Sequence, residues 1–464
     1  MRLLAALALI VAVVPSRAAE TDCLTRDPST IVKRGDTYWI YGTGLGTAQF
    51  SSKDKVHWTF RGPCLPNAPD WLERTVPGNK NYAWAPDVRY FDGRYWLYSA
   101  YSLFGKKTSS IGVATSTTLE PNSWVEQGLV VHTTDAGDAN AIDPCIFQDA
   151  DGRPWLSYGS YWTGIKLIQI DPNTGLQAAW NTTVTSIAGR PGVPGNAIEA
   201  SCVTYHNGYY TLFVNWDSCC AGSQSKYNVR MGRSRAITGP YLDRNGKDMR
   251  QGGGTLFLGA VYDDGSGRPP DDEVGPGHVG ILHDVDSDWV STHDEWARDR
   301  NGATTLNVQR LAWDTDGWPR AVLDSGPYKV VSFLSTHEVL TCVKGPVPLQ
   351  TWPDKNTDDQ AWTLTDRGDG FYSVFQNGRA SQSLTVLDEP AKPESLVSVT
   401  RYAGRDTQLW FLRQNEDGTY TLLAKAGGRT LALGVGDCSL TDGSGVGLWT
   451  SRGNNCQKWS FHRR

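Results

Sequence analysis

Asp36-Thr37-Tyr38-Trp39-Ile40-Tyr41 is a short aromatic and apolar run, and the chain repeats its pattern. Gly93-Arg94-Tyr95-Trp96-Leu97-Tyr98, Gly152-Arg153-Pro154-Trp155-Leu156-Ser157 and Gly208-Tyr209-Tyr210-Thr211-Leu212-Phe213 follow it. Their anchors Trp39, Trp96, Trp155 and Thr211 stand 57, 59 and 56 residues apart. A weaker fifth unit, Asp288-Trp289-Val290-Ser291-Thr292-His293, lies behind the Gly-, Pro- and Asp-rich stretch 263–272, so Val290 falls 79 residues after Thr211. Short β-like runs at such a period predict a radial array of small sheets. Segments rich in Val, Ile, Tyr and Trp, bounded by Gly, Asp or Asn, run from about residue 27 to 323 without convincing amphipathic helices, which makes the class all-β.

Twelve residues before the five anchors lie Asp27, Trp84, Asp143, Glu199 and His278. Equivalent positions of a radial array face one axis, so this register predicts that three acids and a histidine converge. A single Asp-Pro, as in Arg26-Asp27-Pro28-Ser29 or Ile142-Asp143-Pro144, reads as a turn or strand cap. Three acids in one register read as a site. Carboxylates gathered around a neutral ligand suit glycosidic hydrolysis, which needs one protonated acid and one ionised carboxylate. A third carboxylate raises a neighbour's pKa and keeps the acid protonated.

The composition narrows the ligand. With 19 Trp, 19 Tyr and a formal net charge of −5, the chain has no basic face for nucleic acid and no reason to seek a membrane surface. A monomer acting on a neutral polymer is expected. Met1-Arg2 followed by the apolar run from Leu3 to Val14, with Ser16-Arg17-Ala18-Ala19 after it, reads as a signal segment over residues 1–19, so the mature protein is expected to be secreted and extracellular. Nine cysteines follow, an odd number that leaves at least one unpaired. Cys438 and Cys456 are expected to bridge. The adjacent Cys219-Cys220 is read as a vicinal disulfide at a loop, lining a pocket, rather than as part of a zinc cage. Asn181-Thr182-Thr183 is a candidate glycosylation acceptor, which requires a surface position.

After Trp313-Asp314-Thr315-Asp316-Gly317-Trp318 the pattern changes to three Gln-x-Trp triplets, Gln360-Ala361-Trp362, Gln408-Leu409-Trp410 and Gln457-Lys458-Trp459, 48 and 49 residues apart. Each follows an alternating apolar run, and three such units can close into one small barrel. The boundary is placed near Asp324-Ser325-Gly326-Pro327, giving one domain over 20–324 and a second over 325–464.

The ordered motifs Arg26-Asp27-Pro28-Ser29, Trp84-Ala85-Pro86-Asp87, Asn140-Ala141-Ile142-Asp143-Pro144, Gly159-Ser160-Tyr161-Trp162-Thr163-Gly164-Ile165, Ala197-Ile198-Glu199-Ala200 and Gly275-Pro276-Gly277-His278 resemble the arabinanases of glycoside hydrolase family 43. The resemblance covers about residues 22–323. It implies a five-bladed β-propeller and single-displacement, inverting hydrolysis of α-1,5-linked L-arabinofuranosyl chains, with arabinan as the partner polymer. It makes Asp27 the general base, Glu199 the general acid and Asp143 the residue that tunes and orients the acid. Asn140, Ser160, Tyr161 and Gly105 fall on substrate-contacting positions, and Trp84 reads either as a wall for a sugar face or as a core tryptophan. His278 resembles the histidine that helps hold a calcium or other ion in the channel, largely through waters; Val279 departs from the polar residue the family commonly has next. No organic cofactor is implied. Asp87, out of register, is read as a structural hydrogen-bonding acid.

The Gln-x-Trp triplets resemble the ricin-B type β-trefoil, which completes the expected architecture: a five-bladed β-propeller followed by a β-trefoil. Trp352, Tyr402 and Trp449 are its candidate sugar platforms, but the positions of the family's sugar-binding Asp hold Thr341, Thr385 and Ala432. Endo action is the leading reading. Exo action that removes arabinose or another pentose such as xylose from chain ends, a non-catalytic polysaccharide binder, and an adhesion-type propeller are the alternatives.

Overall fold

The computed structural model describes residues 19–262, 271–297, 302–323, 326–335, 337–344, 349–377, 379 and 381–464. Nearly all of the expected signal segment, most of the 263–272 stretch, and Asp324 and Ser325 at the expected boundary lie outside the described residues.

Five antiparallel sheets form the blades of a propeller. Each begins with a strand along the axis and steps outward: Val32–Arg34 to Trp58–Pro63, Tyr82–Phe91 to Val125–Thr133, Cys145–Gln148 to Thr185–Ala188, Ile198–His206 to Thr255–Leu258, and Gly277–His283 through Asp288–Ala297 to Ala303–Trp313. Every anchor lies on the second strand of its blade. Its alternating side chains bury against neighbouring blades, as with Trp39 and Trp96 at 3% and 0% exposure. The hairpins over Asp92-Gly93 and Asn207-Gly208 have positive φ at both turn residues, a geometry Asp-Gly and Asn-Gly adopt cheaply. The ring closes between sequence ends: Ala19–Glu20 pairs with Asn307 and Val308 of the fifth blade, and Thr21 Oγ1 donates to the Leu306 carbonyl. The single α-helix among the described residues is the four-residue Leu72–Thr75.

The innermost strands share a bulge, and it corrects the common register counted from the anchors. One extra residue separates Trp84 from Asp87, Glu199 from Cys202 and Gly277 from Gly280. The residues with positive φ in the five bulges are Asp27, Ala85, Asp143, Ala200 and His278. Asp27, Asp143 and His278 therefore share one slot, whereas Trp84 and Glu199 sit one residue earlier. Two causes combine: five residues separate Gln148 from Pro154 and four separate His283 from Asp288 where the other inner hairpins have two, and the first blade, with a two-residue hairpin, carries a further extra residue between Ser29 and Val32. Counting back from the anchors absorbs these differences into the register.

Asp87 is structural, as expected. Its Oδ1 accepts the Thr30 N–H at 2.8 Å and its Oδ2 accepts the Ile146 N–H at 2.9 Å, so one buried carboxyl ties the inner strands of the first three blades.

Residues Pro327–Ser332 to Trp459–Arg463 form twelve further strands. Trp362, Trp410 and Trp459 are fully buried, and their Nε1–H groups donate to the carbonyls of Leu340, Leu384 and Leu433 in a three-fold pattern. Cys438 and Cys456 form a disulfide, as do Cys219 and Cys220; Cys23, Cys64, Cys145, Cys202 and Cys342 are buried. The trefoil docks on the propeller through Asp366, which pairs with Arg310 and Arg320, and through Tyr372, whose hydroxyl accepts the Leu323 N–H.

Candidate active site

The bulges aim their side chains at the axis, and three of the acids meet there. Glu199 is buried at the start of the fourth blade. Ser160 Oγ donates to its Oε2 at 2.6 Å and Tyr227 OH donates to its Oε1 at 2.9 Å. Burial pushes the Glu199 carboxyl above its ordinary value; the two hydrogen bonds oppose that, and the charges of Asp27 and Glu295 add to it. Asp143 is pushed well above the carboxylate range by burial and by the nearby Glu199 and Asp27, with only the Ala200 N–H, at 3.0 Å from Oδ2, favouring its ionised form. The negative charges of Asp143 and Glu199 oppose each other's ionisation.

Asp27 differs from both in being partly exposed. Thr43 Oγ1 donates to its Oδ2 at 2.5 Å while accepting the Ala85 N–H at 2.9 Å. The Asp27 N–H donates to His293 Nδ1 at 2.9 Å, so the ring proton sits on Nε2, facing Glu295 Oε1 at 3.1 Å. Arg26 Nη2 reaches Glu295 Oε2 at 3.3 Å. The arrangement places one carboxyl group where water can reach it and another in a dry pocket.

His278 lies on the same axis, buried, with its pKa lowered to about 4 by burial, so its ring is neutral. The His278 backbone N–H donates to Asn215 Oδ1 at 3.1 Å. Among the described residues the one cluster of three metal-type side chains is Cys219, Cys220 and Glu295, whose two sulfurs are joined in the disulfide, and His278 is outside it.

Of the expected substrate contacts, Ser160 touches the acid directly. Tyr161 follows it, with its OH donating to the Asp217 carbonyl at 3.1 Å. Asn140 is buried, accepting from Ser109 Oγ at 2.7 Å. Trp84 is half-buried against the core shared by the second and third blades, a place compatible with both of its readings. Gly105 sits in the exposed turn after Leu103, at φ +74° and with open space where a Cβ would stand, and forms no hydrogen bond to the acids.

Sequence reasoning missed Tyr227, His293, Glu295, Thr43 and Asn215. A signal existed for some of them. Four residues after the anchors Trp39 and Thr211 come Thr43 and Asn215, and three after Val290 comes His293. These residues lie opposite the bulges, on or just past the second strands, and form a second ring of inward positions. Tyr227 precedes a third strand and has no such register.

In the trefoil, Thr341 and Thr385 are buried and accept the amides of Gln360 and Gln408 at 3.2 Å each, while Ala432 offers no polar group. None of the three presents a carboxylate to a sugar.

Comparison with known proteins follows this geometry. The profile of Glycosyl hydrolases family 43 matches residues 22–319, and that of the Ricin-type beta-trefoil lectin domain-like family matches residues 406–464. The extracellular endo-alpha-(1->5)-L-arabinanase 1 of Bacillus subtilis is 40% identical over 300 residues, which are 64% of this chain and 87% of the relative. The extracellular exo-alpha-(1->5)-L-arabinofuranosidase of Cellvibrio japonicus is 36% identical over 329 residues, covering 68% of this chain and 91% of its own. A solved GH43 endo-arabinanase from Bacillus licheniformis superposes with a TM-score of 0.59 at 40% identity, over 65% of this chain and 99% of its own.

Proposed function

Because the chain belongs to glycosyl hydrolase family 43 and is a glycoside hydrolase, we propose that it cleaves α-1,5-L-arabinofuranosidic bonds of arabinan, internally and with inversion. One observation carries the assignment of roles: a dry, doubly hydrogen-bonded Glu199 stands in electrostatic reach of a partly exposed Asp27. Glu199 gives its proton to the glycosidic oxygen as the C1–O bond breaks. Water attacks C1 from the opposite face and passes its proton to Asp27. Asp143 opposes ionisation of Glu199 and orients it through the Ala200 backbone.

His278 fits a cation held by one neutral imidazole nitrogen with waters completing the shell, since no carboxylate cluster of the described residues includes it. Such an ion supplies positive charge on the axis; the proton transfers are carried by Glu199 and Asp27. Both named relatives are called extracellular, which supports secretion of this chain. The trefoil lacks the carboxylates of the usual lectin pockets, so we assign it no such pocket.

The test is the product profile on debranched linear arabinan, with Glu199→Ala as control. A ladder of short oligosaccharides, absent in the variant, is expected. Arabinose alone from the first minutes would favour exo action, the activity named for the Cellvibrio relative. No release from arabinan would overturn the substrate.

A further inference from the structure

We infer that the trefoil is part of the catalytic cleft: its turn Asn415–Gly418 completes a binding site for the departing portion of the glycan chain. This rests on the proposed roles of Glu199 and Asp27. A cavity of about 660 Å³ opens outward from the acid along the fourth blade, with Tyr161, Asp217 and Tyr262 on the propeller side and Glu416 and Gly418 on the trefoil side. The size falls in the range of about 300–1,000 Å³ typical of small-ligand sites.

Two of the cavity's lining tyrosines are one step removed from the groups that hold the acid. Tyr161 follows Ser160, which bonds Glu199 Oε2. Tyr262 OH donates to the carbonyl of Tyr227, whose own hydroxyl bonds Glu199 Oε1. A general acid protonates the leaving oxygen, so space further out on its side takes the leaving sugars beyond the first, toward the reducing end. Two tyrosine rings and the polar groups of Asp217, Asn228 and Lys226 suit a neutral furanosyl chain, which offers both C–H faces and hydroxyls.

The trefoil turn is fixed here. Glu416 pairs with Arg230, whose guanidinium lies 4.8 Å from the centre of the Trp216 ring; Arg190 lies 4.2 Å from that centre and pairs with Asp217 at 2.8 Å. Gln414 Nε2 donates to the Gly259 carbonyl at 3.1 Å. A Cβ on Gly418 would stand 2.3 Å from the Ala260 backbone, so the turn approaches as closely as glycine permits.

Glu416→Trp in the full chain fills the cavity from the trefoil side, and Glu416→Gln removes the ion pair without adding bulk. Each is given arabinohexaose labelled at its reducing end and, separately, arabinobiose. With Glu416→Trp the cleaved bond is expected to move toward the label. Its kcat/KM for the hexaose should fall about tenfold, the scale of one or two lost contacts, while arabinobiose stays within roughly a factor of two. Unmoved cleavage positions, or equal losses on both substrates, overturn the inference. If Glu416→Trp does not fold, Ser218→Trp, entering from the propeller side, carries the same expectation. Failure of the unaltered chain to cut arabinohexaose sinks the proposed substrate and this inference together. An active unaltered chain with unmoved cleavage sinks the inference alone.

Discussion

Replacing Asp87 by alanine tests whether the propeller is held together by its out-of-register acid. The carboxyl accepts one N–H from the first blade and one from the third, and it is 4% exposed. Truncation leaves both donors buried without an acceptor. Each such orphan costs about 1–3 kcal/mol, so the variant should lose roughly 2–6 kcal/mol out of a total of about 5–15 kcal/mol. The assay is urea unfolding at pH 7 followed by residual glycosidase activity, which reports the propeller, with tryptophan fluorescence as a second probe. With a slope of about 1–3 kcal/mol per molar urea, the activity midpoint should fall by roughly 1 M or more. Asn should not rescue it, because one end of its amide is a donor facing a donor. A loss below about 1 kcal/mol, as for an ordinary surface substitution, would refute the reasoning.

Other substitutions probe the site itself. Tyr227→Phe removes a hydrogen bond that favours ionised Glu199. The acid's pKa should rise further, and the alkaline limb of kcat/KM should move to higher pH; a limb that moves down would contradict the stated sign. Gly277→Ala places a Cβ 2.3 Å from the Tyr227 ring. The displaced ring should lower kcat by about tenfold or more, through a misplaced acid, with the secondary structure by circular dichroism unchanged. Chelator should lower activity in the unaltered chain and have little further effect on His278→Ala; equal sensitivity of the two would remove His278 from the ion site.

Both folds were legible because both are repeats. Period and anchor tryptophans exposed the blades, and the Gln-x-Trp triplets exposed the three-fold trefoil, whose alternating runs became Glu338–Cys342, Gln382–Val386 and Leu431–Val435. The acids Asp27, Asp143 and Glu199 were found from a register that is off by one for Glu199, since hairpin lengths and extra residues in the inner strands are invisible to a count from anchors. Glu199 is inward regardless, because the bulge turns successive residues toward the axis. Asp87 could be read as structural because its offset from the other acids put it between blades. Tyr227 was hidden: it contributes through packing between strands far apart in sequence, and nothing local marks it. The role of Glu416 was hidden for the same reason, since it depends on how one domain docks on the other.

The most direct test of the central claim is the anomeric configuration of the first product, followed by proton NMR during hydrolysis of linear 1,5-arabinan by the unaltered chain and by Glu199→Gln. Direct attack of water activated by Asp27 predicts that the newly formed reducing end first appears as the β anomer and then equilibrates, with the variant slowed by orders of magnitude. First appearance of the α anomer would mean a covalent intermediate, and would contradict the roles assigned to Asp27 and Glu199.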